Sequence, residues 1–239
     1  MTTEIRGGVE LPARREDIEL RTADGLTLVG ELASPLERPA VATLVTLHPL
    51  PTQRGFMDSH VLRKAAARLP ALADLAVLRF NFRGVTSPRG TSDGAFGDGV
   101  DERHDLDAAM AFVRQRRLPA PWLLGWSFGT EVLLKHGRDV GAVGAILLSP
   151  PLRRTSDAEL ARWADVTFPV LALVPEHDDF LQPPEAVARF GALAPPIEVT
   201  GVDGAKHLWV GETQVRQVLT EIVCAVNPAA LPLPEVWEE

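Results

Sequence analysis

Residues 121–137, PWLLGWSFGTEVLLKHG, join a short apolar run to a segment of helical character through a serine. The apolar run predicts a buried strand, and the residues from Phe128 onward predict a helix. Gly125 and Gly129 stand two positions on either side of Ser127. Glycines leave space in a sharp strand-to-helix turn, which would lift the serine hydroxyl clear of the sheet. The stretch therefore predicts a strand, a tight turn with an exposed hydroxyl, and a helix.

Short apolar runs recur on both sides of this unit and are typical of parallel strands that are covered by helices on both faces. Segments of helical periodicity lie between them, most clearly at 106–113 and 215–222. The alternation predicts an α/β protein with a mostly parallel twisted sheet of about eight strands and helices on both faces. The predicted strands are 41–47, 75–82, 121–124, 143–148, 169–174 and 196–200, and the weaker predicted helices are 59–69, 128–137, 156–164 and 184–193.

Residues 17–33 differ from the rest, because apolar and polar residues alternate there around Asp24-Gly25, a dipeptide suited to a hairpin turn. They predict an antiparallel pair at one edge of the sheet. No linker-like tract divides the chain, so we expect one domain over 1–239, with a core of about 17–226 and short terminal extensions. Only 151–167 separate two late strands, which predicts a minimal lid and an open site.

The formal net charge of −8 argues against a nucleic-acid partner, because binding a phosphate backbone needs a clustered basic surface. The N-terminus lacks the pattern of a secretion signal, and no stretch approaches the roughly 18 apolar residues of a membrane span. We therefore expect a cytoplasmic protein that is a monomer or homodimer and has no membrane partner. Cys224 is the single cysteine and lies on the apolar stripe of the last predicted helix, so we expect it to be buried.

A serine hydroxyl is a weak nucleophile at neutral pH unless a base lies within hydrogen-bond reach and a third group orients that base. Asp178 comes soon after one late predicted strand, and His207 comes soon after the next. Because functional groups collect at the carboxyl ends of parallel strands, these side chains and Ser127 are expected to converge. The pattern predicts Ser127 as nucleophile, His207 as general base and Asp178 as the orienting acid, with Asp179 a close alternative to Asp178.

Several loops resemble those of the α/β-hydrolase superfamily. They are the nucleophile elbow at 125–129, the EHDDF loop at 176–180 ahead of Pro183-Pro184, and the GAKH loop at 204–207. The segments at 48–66, HPLPTQRGFMDSHVLRKAA, and at 79–109 resemble a bacterial branch of small, lidless hydrolases related to dienelactone hydrolases. The resemblance covers roughly 17–226 and implies a serine hydrolase.

An oxyanion hole needs two backbone amides that point at the developing negative charge. The amide of Phe128 is one candidate, because it lies at the first turn of the helix after the serine. The resemblance implies a second donor in the loop after strand 41–47, and Leu50 is favoured because Pro49 and Pro51 have no N–H. The side chains expected to line the substrate site are His48, Arg83, Phe96, Trp126 and Trp209, with core packing an equal alternative for the tryptophans. We expect His48 to shape the oxyanion loop and not to transfer protons.

These residues predict a carboxylesterase-like enzyme that cleaves esters of small or exposed acyl groups through an acyl-enzyme. The alternatives are an acyltransferase or peptidase on the same triad, and a non-catalytic binding module of the same fold. Glu176 and His177 lack a distant partner for a closed metal site, and the glycine-rich loop 84–100 lacks a nucleotide-binding fingerprint. We therefore expect no metal and no cofactor, and a small-molecule ester as the partner.

Overall fold

A computed structural model describes residues 2–238 and has a central sheet of eight strands. In chain order the strands are β1 (Thr2–Glu4), β2 (Arg14–Arg21), β3 (Thr27–Ser34), β4 (Ala42–Leu47), β5 (Leu75–Phe80), β6 (Thr86–Ser87), β7 (Gly90–Thr91), β8 (Pro121–Trp126), β9 (Gly144–Leu148), β10 (Val170–His177), β11 (Glu198–Lys206) and β12 (Val236–Glu238). The helices are α1 (His60–Ala73), α2 (Glu102–Gln115), α3 (Phe128–His136), α4 (Asp157–Ala161), α5 (Pro183–Gly191) and α6 (Glu212–Val226).

The order of strands across the main sheet is β11-β10-β9-β8-β4-β5-β3-β2. The neighbours from β11 to β5 pair in parallel, whereas β3 pairs antiparallel with both β5 and β2. The predicted hairpin is thus the antiparallel edge of a mostly parallel sheet, and the predicted fold class is confirmed. The remaining short strands form two small pairs, β1 with β12 and β6 with β7.

Two apolar cores cover the two faces of the sheet, because successive residues of a strand point to opposite sides. In β8, Leu123 packs in the core with α2, α3 and α5, and Leu124 packs in the core with α1 and α6. In β4, Val45 and Leu44 divide between the same two cores. These fully buried side chains explain why the central strands have continuous apolar sequences.

Strands β10 and β11 extend well past the ends that the apolar runs predict. Their pairing shifts register between Pro175 and His177, so that His177 pairs with Lys206. A bulge of this kind lets pairing continue through residues that resemble a loop in sequence. As a result, Asp178 and His207 each follow directly on the last residue of a strand.

The connection between β9 and β10 contains only the short helix α4, which is much shorter than the predicted helix 156–164. Ser156 caps it, because its hydroxyl accepts a hydrogen bond from the Glu159 amide and the Glu159 carboxylate accepts one from the Ser156 amide. Within residues 2–238, no larger helical insertion therefore covers the carboxyl end of β9.

Helix α6 corrects the prediction for the cysteine, because Cys224 is exposed. An α-helix turns by about 100° per residue, so a side chain nine positions after Val215 points away from the buried face. The buried stripe consists of Val215, Val218, Leu219, Ile222 and Val223. Within residues 2–238, none of the helices has both the length and the apolar character needed to cross a membrane.

Candidate active site

The turn between β8 and α3 holds Ser127 in a backbone conformation that few non-glycine residues adopt, with φ 53° and ψ −115°. Its amide donates a hydrogen bond of 2.9 Å to the carbonyl of Leu148. A Cβ atom at Gly125 would lie 2.6 Å from the carbonyl oxygen of Gly129, and one at Gly129 would lie 2.0 Å from that of Leu47. Both glycines are therefore required by close packing of the backbone around the serine.

The structure brings Ser127, His207 and Asp178 into one hydrogen-bonded chain. His207 Nε2 lies 2.8 Å from Ser127 Oγ, and His207 Nδ1 lies 2.8 Å from Asp178 Oδ2. Because a carboxylate only accepts, Nδ1 carries the proton that it donates to Asp178, and Nε2 is left as the acceptor for the serine hydroxyl. This arrangement can withdraw a proton from the serine during attack on a carbonyl.

The environment of the two neighbouring aspartates differs. The Asp178 side chain is 1% exposed, and its Oδ1 accepts hydrogen bonds from the amides of Phe180 at 2.8 Å and Leu181 at 3.3 Å. Asp179 is exposed. The Asp178 carboxylate is thus held by three donors, two backbone amides and the imidazole, whereas the Asp179 side chain is exposed to solvent.

The backbone of His207 is held by two side chains, one at the last residue of β8 and one directly after β9. Its carbonyl oxygen accepts a hydrogen bond from Trp126 Nε1 at 3.3 Å and one from Ser149 Oγ at 3.2 Å. Trp126 is 2% exposed, so of its two predicted roles the structure favours core packing over a pocket wall. Ser149 is not among the predicted site residues, although its place directly after the predicted strand 143–148 is a signal that could have identified it.

Neither the amide of Phe128 nor that of Leu50 has a hydrogen-bond acceptor within residues 2–238. Phe128 is the first residue of α3, where amides have no partner inside the helix. The loop of Leu50 is closed by Gly55, where a Cβ would lie 2.1 Å from the carbonyl oxygen of Pro49. Since the end of β4 packs directly on Gly129, this loop begins beside the turn that holds the serine.

The side chain of His48 is fully buried, which corrects the prediction that it lines the substrate site, whereas its contacts agree with the prediction that it shapes the loop after β4. Its Nε2 accepts a hydrogen bond from the amide of Phe82 at 3.0 Å, so Nδ1 carries the proton and donates to the carbonyl of Pro49 at 2.7 Å. Burial lowers the pKa of His48 to about 4, although the bond to Pro49 acts in the opposite direction. The neutral imidazole therefore ties the loop of Leu50 to the end of β5.

Arg83 and Trp209 are also buried, at 5% and 0% exposure, which contradicts the prediction that Arg83 lines the site and favours the core-packing alternative for Trp209. Arg83 binds Asp105 of α2 through Nε at 3.0 Å and Nη2 at 2.8 Å, and it binds Asp24 of the hairpin turn through Nη1 at 3.0 Å. Trp209 packs in the core beneath α1 and α6. Phe96 is half-buried with its ring centre 5.3 Å from that of Phe128, so it remains a candidate for contact with substrate.

No protein-family model matches the chain. A Rickettsia prowazekii protein known as uncharacterized protein RP471 is 27% identical over 186 residues, which are 74% of this chain and 75% of that protein. XC6422 from Xanthomonas campestris, an α/β serine hydrolase without a lid, is 27% identical with a TM-score of 0.75 and covers 94% of this chain and 99% of its own. An α/β serine hydrolase homologue from Coxiella burnetii is 26% identical with a TM-score of 0.75, over 87% of this chain and 96% of its own.

The two solved structures cover 87% to 94% of this chain, and their fold agrees with its mostly parallel sheet and with the short connection between β9 and β10. The solved structures are hydrolases of one fold, and their size matches that of the present chain. The protein therefore has the α/β-hydrolase fold, and it is similar to small serine hydrolases of that fold, of which the Xanthomonas structure has no lid.

Proposed function

We propose that the protein is a carboxylesterase that cleaves esters of small or exposed acyl groups. The observation that carries the proposal is the continuous chain of hydrogen bonds from Asp178 through His207 to Ser127. Two of its members are buried, and the serine at its end is partly exposed, so a substrate carbonyl can approach the hydroxyl. A buried base next to an accessible nucleophile is the arrangement that acyl transfer needs.

In the first half of the reaction, Ser127 Oγ attacks the ester carbonyl carbon while His207 Nε2 accepts the hydroxyl proton. The negative charge on the carbonyl oxygen is stabilised by the free amides of Phe128 and Leu50. His207 then donates its proton to the departing alkoxide, and the acyl group stays on Ser127. Asp178 keeps the imidazole in the required tautomer and stabilises its positive charge.

In the second half, a water molecule replaces the alcohol and loses a proton to His207 Nε2 as its oxygen attacks the acyl carbon. The same two amides stabilise the second oxyanion. Collapse of this intermediate breaks the bond to Ser127 Oγ, which recovers its proton from His207, and the carboxylic acid leaves. The open edge of the sheet favours acyl groups that do not need to be enclosed.

Labelling with a fluorophosphonate probe tests the proposal most directly, because such probes react with an activated serine. We expect the wild type to be labelled and to hydrolyse short-chain esters, and Ser127→Ala to lose both properties. Ser156→Ala, a change at an exposed helix cap, is the matched control and should retain both. A folded wild type that is neither labelled nor active would favour a non-catalytic binding module.

An acyltransferase on the same triad would give a different product distribution. Hydrolysis of a methyl ester in the presence of a second alcohol separates the two, because a transferase forms the new ester in preference to the free acid. We expect the free acid to dominate, since the uncovered site leaves the acyl-enzyme open to water. Predominant transfer to the alcohol at millimolar concentration would assign the protein to the transferases.

A further inference from the structure

The segment 151–155 after β9 is fixed to the helix that follows the nucleophile. Glu131 of α3 is fully buried, and its Oε1 accepts hydrogen bonds from the amides of Arg153 at 2.6 Å and Arg154 at 3.1 Å. The Thr155 hydroxyl donates to Oε2 of the same carboxylate. A buried carboxylate is costly unless its oxygens are satisfied, so these three donors hold the segment firmly.

The two arginines in this segment differ in their partners. Arg154 Nε lies 2.6 Å from Asp98 Oδ1, and its guanidinium lies 5.7 Å from the ring centre of Phe128. Arg153 is exposed, and within residues 2–238 no carboxylate oxygen lies within 4.0 Å of its guanidinium nitrogens. The charge of Arg154 is therefore compensated, whereas that of Arg153 is free.

The free guanidinium lies at the rim of the proposed active site. Its central carbon is 5.5 Å from the ring centre of Phe180, and that ring packs against the imidazole of His207 in a T-shaped arrangement with a centre-to-centre distance of 4.7 Å. Phe180 is 44% exposed, so the ring is part of the surface that a bound substrate reaches. One aromatic ring thus separates an unpaired cation from the proposed base.

We propose that Arg153 binds an anionic group of the substrate and that the preferred esters carry a carboxylate a few bonds from the scissile carbonyl, as monoesters of small dicarboxylic acids do. The inference rests on the proposed esterase function. A guanidinium binds a carboxylate through two parallel hydrogen bonds, and its geometry suits this contact better than that of an ammonium group. In a protein with a net charge of −8, such a cation opposes the repulsion that an anionic substrate would otherwise meet.

The test compares two methyl esters of similar length, of which only one is charged. Monomethyl succinate ends in a carboxylate, and methyl levulinate ends in an uncharged methyl ketone. Acid release in a pH-stat gives kcat/KM for each ester with the wild type and with Arg153→Gln, Arg153→Lys and Arg154→Gln. Arg154→Gln is the matched control, because it removes the same charge one position away and leaves the backbone contact with Glu131 intact.

We expect the preference for the succinate ester over the levulinate ester to fall about tenfold in Arg153→Gln, as for one charged hydrogen bond at an exposed position. Arg153→Lys should keep part of the preference, and Arg154→Gln should keep nearly all of it. High salt should reduce the preference of the wild type. If Arg153→Gln lowers kcat/KM equally on both esters, the residue only packs on Phe180 and the proposal is overturned. If it changes kcat/KM on neither ester, the proposal is overturned as well.

A binding measurement separates this proposal from the esterase function. Ser127→Ala protein cannot cleave the ester, so titration with monomethyl succinate, followed by NMR, reports binding alone. We expect Ser127→Ala to bind the succinate ester more tightly than the levulinate ester, and the additional Arg153→Gln change to remove the difference. If the wild type cleaves neither ester while this difference persists, the esterase function fails and the anion site stands. If the difference is absent, the anion site fails whatever the activity.

Discussion

Two networks of buried polar side chains lie in this molecule, one at the proposed active site and one beside the N-terminal hairpin. In the second, the guanidinium of Arg79 on β5 binds both Glu31 of β3 and Asp58. Arg89 binds the same two carboxylates, at 2.7 Å for Glu31 and 3.1 Å for Asp58. The side chains of Arg79 and Glu31 are 1% and 2% exposed, as buried as that of Asp178.

The two networks differ in how they end. Glu31 faces three arginines and Asp58 faces two, so the charges of the hairpin network are compensated internally and no reactive atom is presented to solvent. The chain from Asp178 ends instead on the hydroxyl of Ser127, which is partly exposed in a strained turn. Burial of polar groups therefore does not by itself indicate chemistry. The two networks differ in that only the one from Asp178 ends on a partly exposed nucleophile, Ser127.

The largest effect is expected for Asp178→Asn. An amide in place of the carboxylate favours the wrong tautomer of His207, so kcat should fall by about 10⁴-fold while the fold persists. Steady-state kinetics on a short-chain ester and thermal unfolding measure the two effects. Asp179→Asn is the control and should leave kcat nearly unchanged, because that side chain is exposed. The reverse outcome would assign the acid to Asp179.

Glu31→Gln in the hairpin network should lower stability and leave kcat unchanged, the reverse of the effect expected for Asp178→Asn. It leaves Arg79 buried with only part of its negative partners, which is expected to cost about 3 kcal/mol of unfolding free energy. Chemical denaturation measures this loss, and titration of active serines with a fluorophosphonate gives kcat per folded molecule, which should not change. Glu19→Gln breaks an exposed pair with Arg21 in the same hairpin and should cost less than about 0.5 kcal/mol. A fall in kcat per active serine would show that the two networks are coupled.

His48 lies beside the proposed active site but resembles the structural network, because both of its ring nitrogens are hydrogen-bonded. Its pKa is lowered from 6.5 to about 4, so the unfolded chain binds a proton more readily than the folded protein. Stability from this group is complete above pH 6.5 and is lost as the pH falls towards 4. Between pH 7 and pH 5 the wild type should lose about 2 kcal/mol more unfolding free energy than His48→Gln. Equal pH dependence of the two proteins would contradict the neutral, structural role.

The fold and the convergence of the three side chains could be predicted because both follow from local patterns. Apolar runs identify the parallel strands, and the carboxyl ends of parallel strands meet at one edge of a sheet. The glycines around Ser127 identify the sharp turn, since no other residue fits against Leu47 and Gly129. The choice between Asp178 and Asp179 was harder, because it depends on how far β10 continues past its apolar run.

The lining of the site could not be predicted, because burial of a polar residue depends on partners that are distant in sequence. Arg83 is buried by pairing with Asp24 and Asp105, and nothing near residue 83 indicates those contacts. The sequence left pocket wall and core packing equally open for Trp126, and the structure shows it buried with its indole donating to the backbone of His207. Successive side chains of a strand point to opposite faces of the sheet, so a residue next to a catalytic one in sequence can point into the core.

The smallest effect is expected for the two donors that hold the carbonyl of His207. Ser149→Ala removes one hydrogen bond and leaves that of Trp126, so kcat should fall by about tenfold at most with KM unchanged. Trp126→Phe should behave similarly. The double variant should lose more than the product of the two single effects, because each donor alone keeps the imidazole aligned with Ser127. The rate of fluorophosphonate labelling should follow kcat. If the two effects simply multiply, the donors stabilise the fold independently and do not share the task of positioning the histidine.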